Sequence, residues 1–130
     1  MKCAWLVGAL AIVVLPTVVY GFEVGQRYEL TADELALVEG AIKDRLLDPD
    51  SAKFKSPLAA YSKDGFVVVC GLVNAKNGYG GYAGFAPYYG YLLRNSGNIS
   101  FQPDNSAFSS GAASIYDANE FCSKAGISYN

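Results

Sequence analysis

Between Thr31 and Asp48 the apolar residues Leu35, Val38, Ile42 and Leu46 recur at three- and four-residue intervals. That spacing places them on one stripe of an α-helix and predicts a helix that covers a core. Thr31-Ala-Asp-Glu34 has the form of a capping box, in which the Thr31 and Glu34 side chains each satisfy a backbone N–H of the first turn. Glu39 and Lys43 follow at i, i+4 on the opposite side. The helix should end near Asp48, because Pro49 disfavours helical geometry in the residue before it. Its polar face is mixed in sign, which argues against a membrane-surface helix. Asp48-Pro-Asp-Ser51 then reads as a turn, or as a short second helix with Pro49 in its first turn.

The period changes after Pro57. Leu58 to Tyr61 predicts a strand, with Lys63-Asp64-Gly65 as its turn. Phe66 to Val73 is apolar at both parities and rich in β-branched residues, so it predicts a central strand buried on both faces. Asn77-Gly78 is a strong signal for a two-residue hairpin, whose type I′ turn needs positive φ at both central positions. Such a hairpin would set Val73 opposite Tyr82, Cys70 opposite Phe85 and Gly71 opposite Gly84. The returning strand would then point Tyr79, Phe85, Tyr89 and Tyr91 one way. Gly80, Tyr82, Gly84, Ala86, Tyr88 and Gly90 would point the other. Pro87 has no N–H to give a ladder and marks a break or an edge.

Asn95-Ser-Gly97-Asn98 is the next turn and Ile99 to Gln102 a last short strand. Pro103 to Ser114 is a loop of small residues. Tyr116 to Ala125 predicts a closing helix, with Ser114 or Asp117 near its start and Gly126 as its stop. The expected fold is α+β: an N-terminal helix, a three- or four-stranded antiparallel meander, and a C-terminal helix, packed in two layers.

Composition adds a compartment. Met1-Lys2, the uncharged apolar run Ala4 to Leu15, Pro16 and the small or moderate residues up to Gly21 have the order of a secretory signal peptide, with Val19-Tyr20-Gly21 an imperfect cleavage site. Cleavage after Gly21 removes 21 of the 130 residues and leaves 109, one small domain over residues 22–130. The competing reading is an uncleaved anchor, since Ala4 to Tyr20 is at the lower edge of the roughly 17–25 residues that span a bilayer. Without Lys2 the domain has 12 acidic and 9 basic residues, a net charge of −3, which is not the footprint of a nucleic-acid binder. Cys3 leaves with the leader, so an oxidising compartment would pair Cys70 with Cys122 and staple the closing helix to the central strand. A redox role has no C-x-x-C to support it.

The domain contains no histidine, which removes the commonest general base and metal ligand. Carboxylates at Asp48 and Asp50, or a Lys76/Ser96 pair, are the remaining candidates for an envelope hydrolase, and neither spacing demands catalysis. Asp48 and Asp50 also lack the further acids and glycine of a calcium loop. The glycines from Gly71 to Gly90 connect strand to strand, not strand to helix, so they do not form a phosphate cradle. No catalytic residue, metal or cofactor is expected. What remains is binding: Tyr79, Tyr82 and Tyr88, with Asn74, Lys76 and Asn77, suit a protein or sugar surface. Against this stands a reading in which some of these rings fill the core.

LLDPDSAKF (Leu46 to Phe54) followed by VCGLVNAKNGYGGYAGFAPY (Val69 to Tyr88) resembles a group of small exported bacterial and prophage-associated proteins. Their signature is D-P-x-S-A-x-F, then V-C-G-x-V-N-x-K-N-x-x-G-G-Y-x-G, and it covers about a third of the domain. The resemblance implies export and a shared fold. It also implies that Asn74, Lys76 and Asn77 do more than fill a turn. Separately, a polar Asn74 in an apolar strand is expected to hydrogen-bond the Asp48–Ser51 turn and lock helix to hairpin. The expectation is a periplasmic or secreted, non-enzymatic binding domain of the cell envelope. Its partner would be an envelope protein, an incoming protein or a glycan. Membrane attachment would follow only if the leader is retained.

Overall fold

A computed structural model of the chain describes residues 23–104 and 115–128. The expected leader, Ser114 and most of the small-residue loop lie outside the described residues. Five antiparallel strands, β1 (Arg27–Tyr28), β2 (Lys53–Tyr61), β3 (Val67–Asn74), β4 (Ala86–Asn95) and β5 (Asn98–Pro103), form one sheet in sequential order. Helix α1 spans Ala32–Lys43 and α2 spans Ile115–Ser123. Pro49–Ser51 forms a single 3₁₀ turn. The α+β meander between two helices is the expected fold, with the two-residue β1 as an extra strand.

The layering differs from the expected two. Val38 and Ile42 of α1 pack with Val67, Val69, Val73, Tyr88, Leu92 and Phe101 on one face of the sheet. Ala118 and Cys122 of α2, with Ala125 and Ile127, pack with Ala60, Val68, Cys70 and Tyr89 on the other. The sheet is therefore the middle of three layers. The physical reason lies in β3: a central strand apolar at both parities needs a cover on both faces. The disulfide Cys70–Cys122 joins α2 to this strand, bridging 52 residues of chain.

Both helix ends follow their local sequence. The capping box at Thr31 forms in both directions. Helix α1 ends at Lys43, earlier than Pro49 requires, and the chain tightens through bonds from Arg45 N–H to Ile42 O and from Leu46 N–H to Lys43 O. At the end of α2, Gly126 takes φ +71°, its N–H donates to Ser123 O, and Ile127 N–H donates to Cys122 O. This is a Schellman motif, and the buried Ile127 supplies its apolar contact. Glu39 and Lys43 form no ion pair; the Lys43 ammonium instead lies 5.8 Å from the Phe54 ring centroid.

The hairpin register is the main correction. Val73 pairs with Ala86, Cys70 with Tyr89 and Gly71 with Tyr88, so β4 is displaced by four residues from a two-residue turn at Asn77-Gly78. Asn77 closes a different turn. Its side-chain Oδ1 accepts from the Tyr79 and Gly81 N–H groups, and its backbone C=O accepts from Gly80 N–H. An Asx turn has won over the type I′ hairpin, and residues 75–85 form a long loop with one bridge, Lys76 to Tyr82. The type I′ geometry appears instead at Ser96-Gly97, both at positive φ between the paired Asn95 and Asn98. Because a shift of four is even, each β4 residue keeps its expected face.

Candidate functional site: a lysine–aromatic loop surface

The loop 75–85 is held from several directions. The Asn74 side chain accepts from Gly84 N–H at 3.2 Å, so it anchors the far end of the loop and not the Asp48–Ser51 turn as expected. The turn is nevertheless locked to the loop. Lys76 N–H donates to Ser51 Oγ at 2.8 Å, and the Tyr82 hydroxyl donates to Ser51 O at 2.9 Å. Ser51 Oγ itself donates to Asp48 O, closing the 3₁₀ turn around the same residue. Ser51, which carried no functional expectation, is thus the hub between the turn and the loop.

Tyr79 stands at the loop tip with its whole surface exposed, and Tyr82 and Phe85 are about two-fifths exposed. Tyr88, expected among the surface tyrosines, is fully buried. The register explains the correction. Tyr88 sits directly across from Gly71, and its ring lies where a Gly71 side chain would be: a Cβ there would be 2.3 Å from Tyr88 Cζ. The expected Gly71–Gly84 pair does not form; the space beside Gly71 is filled instead by a cross-strand aromatic ring. Phe54 meets the same ring edge-on at 6.0 Å. Tyr89 goes into the opposite core against Phe121.

Lysines surround the exposed rings. Lys53 Nζ lies 4.5 Å from the Tyr82 centroid, Lys76 Nζ 5.9 Å from the same ring, and Lys55 Nζ 4.7 Å from Phe85. All three lysines are exposed. Lys53 and Lys55 register with Asn74 and Leu72 across β2–β3, which brings strand and loop residues onto one surface. None of the three has a carboxylate within 4 Å among the described residues.

A second polar cluster, Tyr28–Glu34–Arg94, went unseen in the sequence. Glu34 is 3% exposed and accepts from the Tyr28 hydroxyl at 2.9 Å, Thr31 N–H at 3.0 Å and Arg94 Nη2 at 2.6 Å. Arg94 Nη2 also donates to the Tyr28 hydroxyl. Burial pushes the Glu34 carboxyl up, but the three donors outweigh it and hold the group below its ordinary value. Burial and the adjacent carboxylate raise the Tyr28 hydroxyl, and the bond to Glu34 raises Arg94. These directions favour a permanent ion pair over proton exchange. The cluster ties the first turn of α1 to β1 and β4. The one sequence cue was the capping-box glutamate.

The catalytic candidates do not converge. Lys76 lies in the loop before β4 and Ser96 in the turn after it, so the ten residues of β4 separate them by about 30 Å. Asp48 and Asp50 flank Pro49 in the 3₁₀ turn. A cleft of about 450 Å³ beside β1 is lined by Tyr28, Glu29, Leu30, Leu35, Pro57 and Leu58, among others, and contains neither aspartate. Among the described residues no group of three or more His, Cys, Asp or Glu could hold a metal ion, and no helix is long and apolar enough to cross a membrane. No family model, curated protein or solved structure matches the chain.

Proposed function

We propose that this chain is an exported, non-enzymatic binding domain of the bacterial cell envelope, periplasmic or secreted, which engages a partner through loop 75–85. The observation that carries the reading is a preorganised loop that displays aromatic side chains. Tyr79 is wholly exposed at its tip, while backbone and side-chain bonds to Asn74, Asn77 and Ser51 hold the loop in one shape. Such order lowers the entropy lost on binding, and tyrosine supplies contact area with few rotatable bonds. Export is supported by the leader-like order of residues 1–21, by the resemblance to exported proteins and by a disulfide, which is the habit of oxidising compartments.

Capture from envelope extract tests the reading. Wild-type protein, oxidised, is compared with a Tyr79→Ala/Tyr82→Ala variant already shown to melt as a folded domain. A partner retained by wild type and lost by the variant is the expected result. Equal capture by both, or none by either, refutes the loop as the binding surface.

A further inference from the structure

We infer that the loop surface is a receptor for an extended acidic segment of a partner protein, whose carboxylates meet Lys53, Lys55 and Lys76. This rests on the proposed binding role and specifies its chemistry. The domain carries a net negative charge over residues 22–130. Even so, three exposed ammonium groups converge on two aromatic rings with no carboxylate partner within 4 Å among the described residues. Each cation–π contact steadies a lysine that would otherwise range freely, and leaves its remaining N–H donors pointing to solvent.

The same contacts distinguish between ligands. A neutral sugar binds aromatic residues by lying on a ring face, but Lys53 occupies a face of Tyr82 and Lys55 a face of Phe85. At Tyr82 and Phe85 the surface presents charge set on rings, which favours an anion. Lys53 and Lys55 are alternate residues of β2, so they lie on one side of the sheet about 6.5–7 Å apart. An extended peptide with acids at every second position repeats at the same distance. β1 pairs only with Ala59 and Ala60, so no strand among the described residues lies along the outer edge of β2 beside these lysines. A peptide can therefore approach at their level. A planar anionic bilayer is the competing anion, and the vesicle arm of the test separates it from a peptide.

The test measures fluorescence anisotropy of a labelled short peptide of alternating Glu and Thr, its Gln-Thr counterpart, labelled polygalacturonate, and co-sedimentation with phosphatidylglycerol vesicles. The protein is used in the form recovered from an exporting host. The Glu-Thr peptide is expected to bind about tenfold tighter than the Gln-Thr peptide, the sum of three ordinary exposed ion pairs. That advantage should vanish in a Lys53→Gln/Lys55→Gln/Lys76→Gln variant of unchanged melting temperature, and fade with added salt. The charge-reversed triple variant, each lysine changed to Glu, should bind a Lys-Thr peptide instead. Equal binding of the Glu-Thr and Gln-Thr peptides overturns the assignment, as does a Gln variant that binds like wild type. Vesicles or polygalacturonate retained as well as, or in place of, the peptide overturn it too. If the assignment falls while the Tyr79→Ala/Tyr82→Ala variant still loses a captured partner, the binding role survives and only the acidic-peptide chemistry is wrong.

Discussion

The stretch from Val69 to Tyr91 contains two regions of nearly the same composition and opposite fates. Residues 75–85 place Tyr79 and Tyr82 at the surface on a frame of glycines. Six and seven positions after Tyr82, Tyr88 and Tyr89 are buried in the two separate cores. Tyrosine content does not distinguish them; strand pairing does. Within β4, neighbouring residues must face opposite ways, and both faces of this sheet are covered by helices. In the loop no second strand buries the rings, and Tyr82 finds a carbonyl at Ser51 and a lysine above its ring. Glycine plays two parts as well. Gly71 is empty space taken by the Tyr88 ring, whereas Gly80 sits at φ +77° with no atom within 4 Å of a notional side chain.

If the buried half is what makes the fold, its perturbations should be large and those in the loop small. Reducing the Cys70–Cys122 bridge, or replacing both cysteines with alanine, should cost about 4 kcal/mol for a closed loop of this size. That is a substantial share of the roughly 5–15 kcal/mol typical of a domain, and urea melts of oxidised and reduced protein would measure it. Next comes Gly71→Ala, expected to cost about 1–3 kcal/mol because the Tyr88 ring must leave its place. Gly90→Ala should be at least as severe, since the added methyl would meet the Gln102 carbonyl and Pro103 Cα, which are backbone. A melting temperature within error of wild type for Gly71→Ala would show that the ring is not held where the register places it.

The Tyr28–Glu34–Arg94 cluster should be next in size and can be recognised by its pH dependence. Glu34→Gln is expected to cost about 1–3 kcal/mol at neutral pH, as a buried charged hydrogen bond is weakened. The Glu34 carboxyl titrates below its unfolded value of about 4.3 in the folded protein. Its stabilisation is therefore complete above that value and declines as the pH falls through the lower folded value. Wild type and Glu34→Gln should converge in stability in strong acid. A gap that is constant with pH would refute the ion pair.

The loop should respond least. Tyr82→Phe removes the hydroxyl bond to the Ser51 carbonyl and should cost about 0.5–1.5 kcal/mol. Tyr79→Ala should leave stability within about 0.5 kcal/mol, as expected for a fully exposed side chain. A large loss of stability in Tyr79→Ala would erase the contrast between the two regions, and with it the reason for reading the loop as a surface kept for a partner.

Much of this molecule was legible along the chain because the deciding forces were local. The capping box at Thr31, the stripe through Val38 and Ile42, the two-faced apolar run of β3, the glycine stop at Gly126 and the pairing of Cys70 with Cys122 each rest on residues within a few positions or on a count of two. Tertiary structure decided the rest. Asn77-Gly78 has two local solutions, a type I′ hairpin and an Asx turn. The Asx turn prevailed as part of a loop pinned at Asn74 and Ser51, and it moved β4 by four residues. That displacement put Tyr88 across from Gly71, whose missing side chain leaves room for the ring, and the helix α1 packed on that face completes the core around it. Glu34 had a visible local role as a capping residue, but its burial against Arg94 depends on a contact 60 residues away. The lysine surface likewise joins β2 to a loop more than twenty residues on. Spacing along a chain reports which way a side chain leaves its own element; which distant group meets it there is set by the packing of the whole domain.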